Sequence, residues 1–250
     1  MARRHLKGLV ALFALVLILW SGKVVWSQYG FFDTGVRTWR YPVGAAEFVR
    51  AEKIPGNIFH NYEWGGYLMW TLFPEYRVFW DARQISSEMF LLGTRIMAGD
   101  PERDAILNRY DVNTIILSPV HYMTGGRQAR ILDPLRRDPR WVLVYAGGSE
   151  VVFVRASSVD LLWLRKKALP DARVDDVILG LTSVLLKENP RRFKAYGERA
   201  KIYLERKDFR QALKELEYYV ALAPEENRDA EAVKIYHSLQ KRFSGQSPGL

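Results

Sequence analysis

The chain contains no cysteine. That one absence excludes disulfides, thiolate catalysis and cysteine-ligated zinc or iron–sulfur sites together. It selects no compartment, because many periplasmic domains do without disulfides. Also missing are a glycine-rich phosphate loop, a G-x-G-x-x-G dinucleotide fingerprint and a G-x-S-x-G nucleophile elbow. No basic stripe interleaved with aromatics is present, so the net charge of +9 does not point to nucleic acid. Its distribution along the chain explains it better. Residues 1–30 carry four Lys/Arg and no acid, residues 31–155 are nearly balanced at +1, and residues 156–250 carry +4. Almost half of the excess therefore flanks a hydrophobic segment, where membrane topology accounts for it.

At 250 residues, 48% hydrophobic and 13% aromatic, the chain has room for one anchor and one or two globular units. Arg3, Arg4, His5 and Lys7 precede the apolar run Leu9–Trp20, which Val24–Trp26 extend. A helix over the nineteen residues Gly8–Trp26, with Lys23 as its single charge, rises roughly 28 Å, close to the thickness of a bilayer's hydrocarbon core. Lys23 is placed to snorkel, and Trp20, Trp26 and Tyr29 suit an interfacial aromatic belt. The expected organisation is a basic cytoplasmic flank at 1–8, a transmembrane anchor at 9–26 that takes the lipid bilayer as its first partner, and a linker at 27–41. A cleaved signal peptide is the competing reading, since Leu9–Trp20 has the length of its core. The following residues lack a small-x-small cleavage site, which favours a retained anchor. Either way the basic flank stays inside and the rest of the chain lies outside.

Residues 42–156 alternate short β-type runs with amphipathic stretches. Ala45, Phe48 and Val49 predict a first helix closed by Ile54-Pro55-Gly56. Asn57–His60, Arg77–Trp80 and Thr114–Leu117 read as strands. Gly65–Phe73 reads as a compact aromatic helix or turn, and Ser86–Met97, Pro101–Tyr110 (with Asp100 as N-cap) and Gln128–Arg137 as helices. Trp141–Tyr145 and Glu150–Arg155 form a hairpin through Gly147-Gly148. This alternation predicts an α/β domain with a mostly parallel sheet, edged by the terminal hairpin.

Within this domain, Tyr62–Tyr67 (Tyr-Glu-Trp-Gly-Gly-Tyr) and Asp81-Ala82-Arg83 are the sharpest parts of a longer pattern. The pattern runs from Asn57 to Arg83, and later segments fit it too: a strand after Tyr110-Asp111-Val112, then Asp138-Pro139-Arg140-Trp141 leading to Val151–Arg155. It resembles the soluble C-terminal domains of bacterial multi-spanning glycosyltransferase-like membrane proteins, which draw sugars from lipid-phosphate donors. The resemblance covers about residues 42–155 and implies a bacterial inner membrane with the domain on the periplasmic side. Those enzymes carry their catalytic acid in an early external loop of a helix bundle, and this chain has neither. One helix cannot wall a site for a lipid-linked donor, so the resemblance implies the accessory domain without its catalytic bundle.

No catalytic residue is assigned. Asp81, Arg83, Glu63 and His60 are weak candidates, lying at strand ends or in the loop after a strand, where open α/β sheets place ligands. A structural role is preferred: Asp81 and Arg83 as an ion pair or backbone cap, and Gly65-Gly66 as a tight turn. His60 and Glu63 have H-x-x-E spacing with no second ligand cluster, so neither a metal nor a cofactor is expected. His121 and His237 have no partners in sequence.

Tyr196, Ala200, Tyr203, Phe209, Ala212, Leu213, Leu216 and Pro224 form a pattern that resembles the tetratricopeptide repeat, with small Ala200 and Ala212 allowing close helix approach. Pro190 precedes Pro224 by thirty-four residues, the period of that repeat. The resemblance implies a repeat at 191–224, a degenerate copy at 158–190 interrupted by Pro170, a capping helix at 225–244 and a tail at 245–250. It also implies a protein or peptide partner, with Lys194, Arg199 and Lys201 projecting from the first helix. So few repeats fall below the usual minimum for independent stability, and the array is expected to lean on the α/β domain or a partner. The whole reads as α/β plus all-α helical hairpins behind one transmembrane helix: a membrane-anchored scaffold, accessory to cell-envelope glycan assembly. Two alternatives stand beside it. One is a detached C-terminal portion of a membrane glycosyltransferase, working with a separate multi-spanning subunit. The other is a truncated gene product with Met1 inside a longer frame.

Overall fold

A computed structural model of the chain describes residues 12–21, 23, 36–83, 86–128 and 130–244. It divides into two compact units, one reaching Arg37 and the other beginning at Thr38. In the first unit residues 12–21 are helical, and Leu12, Phe13 and every side chain from Leu15 to Trp20 is exposed. No helix among the described residues is long and apolar enough to cross a membrane. The expected anchor at 9–26 runs beyond the described residues at both ends. The flank 1–8, the linker before Val36 and the tail 245–250 also lie outside them.

The second unit is mixed α/β around one sheet made of β1 (Asn57–His60), β2 (Val112–Leu117), β3 (Trp141–Gly147) and β4 (Glu150–Arg155), in the order β1-β2-β4-β3. Alternation along the strands builds two apolar layers. Phe59, Ile115, Leu117, Val151 and Phe153 face one side. Ile58, Ile116, Val152 and Val154 face the other. The first layer is covered by α3 (Ser87–Met97), α4 (Arg103–Arg109), α5 (Leu132–Arg137) and α7 (Ala172–Glu188). The second is covered by α1 (Val43–Glu52), α2 (Gly65–Leu72) and α6 (Leu161–Lys167).

Two expectations about the sheet are corrected. It is not mostly parallel: β1 and β2 pair parallel, whereas β2–β4 and β3–β4 are antiparallel. The second strand of the hairpin, not the first, docks on β2, so β4 becomes interior and β3 takes the edge. Arg77–Trp80 is not a full strand but a single parallel bridge between Val78 and Ile58. Ile58 exchanges backbone hydrogen bonds with Arg77 and Phe79, both at 3.0 Å. The carbonyl of His60, the next acceptor such a ladder uses, takes the indole N–H of Trp80 instead, at 2.8 Å. The ladder stops there.

Helix starts follow local chemistry. Ser86 and Asp160 cap α3 and α6 with side-chain oxygens. Asp100 accepts from the Glu102 N–H, but α4 begins only at Arg103. The helix expected from Gln128 begins at Leu132. Residues 168–171, with Pro170, separate α6 from α7. Val174, Ile178, Leu181 and Leu185 then bury α7 against the sheet, so this helix belongs to the sheet's own core.

Beyond it, α8 (Phe193–Glu205), α9 (Phe209–Leu222) and α10 (Ala230–Ser244) surround a third core of Ala200, Ala212, Leu216 and Leu239. Asp208 caps α9 by accepting the Gln211 N–H. The loop after β2 clasps α8. Arg127 pairs with Glu198 at 3.2 Å, and Arg192 donates to the Met123 carbonyl at 3.1 Å.

Candidate binding surfaces

His60 ends β1 with its side chain fully buried. Its Nδ1 lies 2.7 Å from the Asn61 carbonyl, and its Nε2 has no partner. Burial pushes the imidazole down to about 4, outweighing both that hydrogen bond and the nearby Asp81 charge, so the ring is neutral. Asn61 Oδ1 accepts the Ser118 N–H at 2.7 Å and ties together the carboxyl ends of the two parallel strands.

Asp81 is fully engaged. Its Oδ1 accepts from the Arg83 backbone N–H and Nε at 2.8 and 2.9 Å, and its Oδ2 meets the guanidinium again at 2.7 Å. The Arg83 hydrogen bonds hold the Asp81 carboxyl below the usual carboxylate range. Glu63, in the turn Tyr62–Trp64, accepts weakly from Gln128 at 3.4 Å. Glu63, Asp81 and Arg83 thus share one surface, whereas His60 is sealed inside.

Gly65 and Gly66 do not form the expected tight turn; they open α2, with Gly65 in ordinary helical conformation. Gly65 is required for another reason. A Cβ there would stand 2.3 Å from the Trp80 carbonyl oxygen and 2.6 Å from the Asp81 Cβ. The two sharpest parts of the sequence pattern, 62–67 and 81–83, are therefore a single packing unit.

That unit borders a trough of about 830 Å³ lined by Tyr41, Glu63, Tyr67, Trp70, Phe73 and Arg83, among others. Leu68 and Leu72 turn inward from α2, and Trp70 and Phe73 turn outward, 76% and 70% exposed. The signal was in the sequence: Gly65–Phe73 is too uniformly apolar for a helix with only one buried face.

A second concavity, of about 580 Å³, lies between α8 and α10 and is closed at one end by Thr124–Arg127. Ala200 and Leu216 floor it, and Lys194, Lys201, Glu205 and Glu231 stand around it. Of the signature residues, Ala200, Ala212 and Leu216 are buried, with Tyr203 and Phe209 packed against them. Tyr196 stacks on Tyr218 at 5.0 Å, and Pro224 precedes a short 3-10 turn. Lys194 and Lys201 face the groove as expected. Arg199 does not. It joins three helices, donating to Glu215 on α9 at 2.8 Å and to the Ser183 hydroxyl and Leu179 carbonyl on α7 at 2.7 and 3.1 Å.

Glu150, read only as a strand residue, is a buried carboxylate at the N-terminus of α1. It accepts from the Ala45 N–H at 3.0 Å and from the Ser149 N–H and hydroxyl at 2.8 and 2.9 Å. Burial raises its pKa, and those hydrogen bonds oppose the rise. No group of three or more His, Asp or Glu able to hold a metal ion comes together among the described residues. His121 stacks on Tyr122 at 5.5 Å.

Comparison with protein-family models, with curated proteins and with solved structures found no match.

Proposed function

We propose that this chain is a membrane-anchored scaffold. Residues 9–26 hold it in the bacterial inner membrane with the N-terminus cytoplasmic, and α8–α10, a tetratricopeptide-like array, grip a segment of a partner protein on the periplasmic side. The observation that carries the reading is the groove between α8 and α10. Its floor of Ala200 and Leu216 suits apolar side chains of a peptide, and its rim of Lys194, Lys201, Glu205 and Glu231 suits the peptide's charges. Support for the anchor comes from residues 12–21, whose apolar side chains are exposed around the whole helix, a pattern that suits a lipid medium. The resemblance over residues 42–155 supports a place in cell-envelope glycan assembly. It also keeps a second reading, a subunit working with a separate multi-spanning glycosyltransferase, for which the shared trough of Glu63, Asp81 and Arg83 is the favouring observation.

Pull-down from mild detergent tests the scaffold. Ending the chain at Ser158 would strip α7 from the sheet, so surface variants serve better. Lys194→Glu with Lys201→Glu is expected to lower partner recovery about tenfold at a temperature well below the unfolding midpoint, which Lys201→Glu shifts down slightly by removing the ion pair with Glu198. Equal recovery from the native and doubly reversed chains would sink the groove as the binding surface.

A further inference from the structure

On the outer side of α2, Trp70 and Phe73 take no part in the cores of the second unit, and Tyr67 and Tyr41 pack against one of them only in part. Trp70 is more exposed than any other large apolar side chain described there, and Phe73 lies beside it. Tyr67 is 6.1 Å from Trp70 and 5.5 Å from Tyr41, ring centre to ring centre, so three rings run on continuously along one wall of the trough. A contiguous aromatic face of this kind marks a surface that something covers.

Chain length and side-chain chemistry identify what covers it. Tyr41 is fifteen residues on from Trp26, where the apolar run ends. Fifteen residues span at most about 50 Å even fully extended. So short a separation along the chain makes docking on the anchoring bilayer an intramolecular event, for which a weak intrinsic affinity is enough. Tyr and Trp rings, apolar in body and polar at one edge, settle at the headgroup level of bilayers. At the rim, Arg83 exposes 60% of its side chain, and its partner Asp81 is already neutralised by it. Glu63 is the one other acid lining the trough, and it is hydrogen-bonded to Gln128.

We infer that the Tyr41–Tyr67–Trp70–Phe73 face seats on the headgroup layer of the bilayer that holds residues 9–26. This inference rests on the anchor reading above.

The absence of cysteine makes the test direct, since any introduced thiol is unique. Full-length Gly66→Cys, Phe73→Cys, Lys214→Cys and Leu15→Cys are each labelled with a nitroxide in vesicles of phosphatidylethanolamine and phosphatidylglycerol. Collision with oxygen is compared with collision with a water-soluble nickel complex. A Cβ at position 66 meets nothing within 4 Å, so that label leaves the packing intact. The expected oxygen-to-nickel ratio at positions 66 and 73 is about tenfold above that at exposed position 214, and Trp70→Ala lowers it at position 66. Water-like ratios at 66 and 73 with a lipid-like ratio at 15 overturn the docking and leave the anchor standing. A water-like ratio at 15 overturns the anchor reading, and the docking with it. Dipolar broadening at position 73 that vanishes on dilution with unlabelled protein means that a second copy covers the face, which also overturns it.

Discussion

Gly125 and Ala195 meet so closely that a Cβ on the glycine would stand 2.6 Å from the Cβ of the alanine. Gly125 also has φ +75°, a left-handed conformation that costs an L side chain energy. Through this contact the loop after β2 grips α8. Gly125→Ala therefore combines backbone strain with overpacking and should cost about 2–4 kcal/mol of unfolding free energy. Gly180, inside α7 with open space around its Cβ position, is the control. Gly180→Ala should stabilise by roughly 0.5–1 kcal/mol through helix propensity. Urea unfolding of both variants checks the pair, and a harmless Gly125→Ala would mean that the loop does not hold α8.

Arg199 and Glu215 are both largely buried, and their pair joins α8 to α9 while the same guanidinium reaches α7. Removing one member strands the other. Arg199→Met should cost roughly 3 kcal/mol, and adding Glu215→Leu should restore much of it. A double-mutant cycle by urea unfolding measures the coupling. Additive losses would show that the pair is not what ties these helices together.

The neutral, buried His60 makes stability depend on pH. Its folded pKa, about 4, lies below the ordinary value of 6.5. Between those values the unfolded chain binds the proton and the folded chain does not, so stability falls as pH drops from about 6.5 to about 4. The difference corresponds to roughly 3 kcal/mol. Asp81 and Asp138, with lowered pKa values, also lose stabilisation on acidification, so the contribution of His60 is read as a difference. Denaturation of native and His60→Gln chains at pH 7 and pH 4.5 should show a smaller loss in the variant. An identical loss in both would place the imidazole in water.

Glu150→Ala leaves the Ala45 and Ser149 N–H groups without their acceptor at the start of α1. A loss of about 2–4 kcal/mol is expected, since buried donors are left unpaired. Glu150→Gln, which keeps one acceptor oxygen, should lose less. Thermal unfolding followed by circular dichroism ranks the two, and the reverse order would deny the carboxylate its capping role.

Much of the architecture was legible because its signals are local. The short run Asn-Ile-Phe-His after Ile54-Pro55-Gly56 marks Asn57–His60 as a strand, and Gly147-Gly148 between two apolar runs marks a hairpin, whatever else the chain does. The helix α8 was readable for the same reason, through the spacing of Tyr196, Ala200 and Tyr203. The bridge at Val78 was overread as a strand because nothing local reveals that Trp80 takes the His60 carbonyl.

The sequence alone determined the lack of thiol chemistry, one apolar segment, the helix and strand order apart from the single bridge at Val78, and the small residues that bring helices together. These follow from composition and from periods of two and 3.6 residues, which neighbouring residues specify among themselves. Only the tertiary structure decided that β4 rather than β3 lies beside β2, that Arg199 turns into the helix bundle, and that Glu150 caps a helix 105 residues earlier. Both hairpin strands carry long apolar runs, and a charged side chain reads the same inside or out. The choice is made where distant surfaces meet and each buried polar group must find its partner.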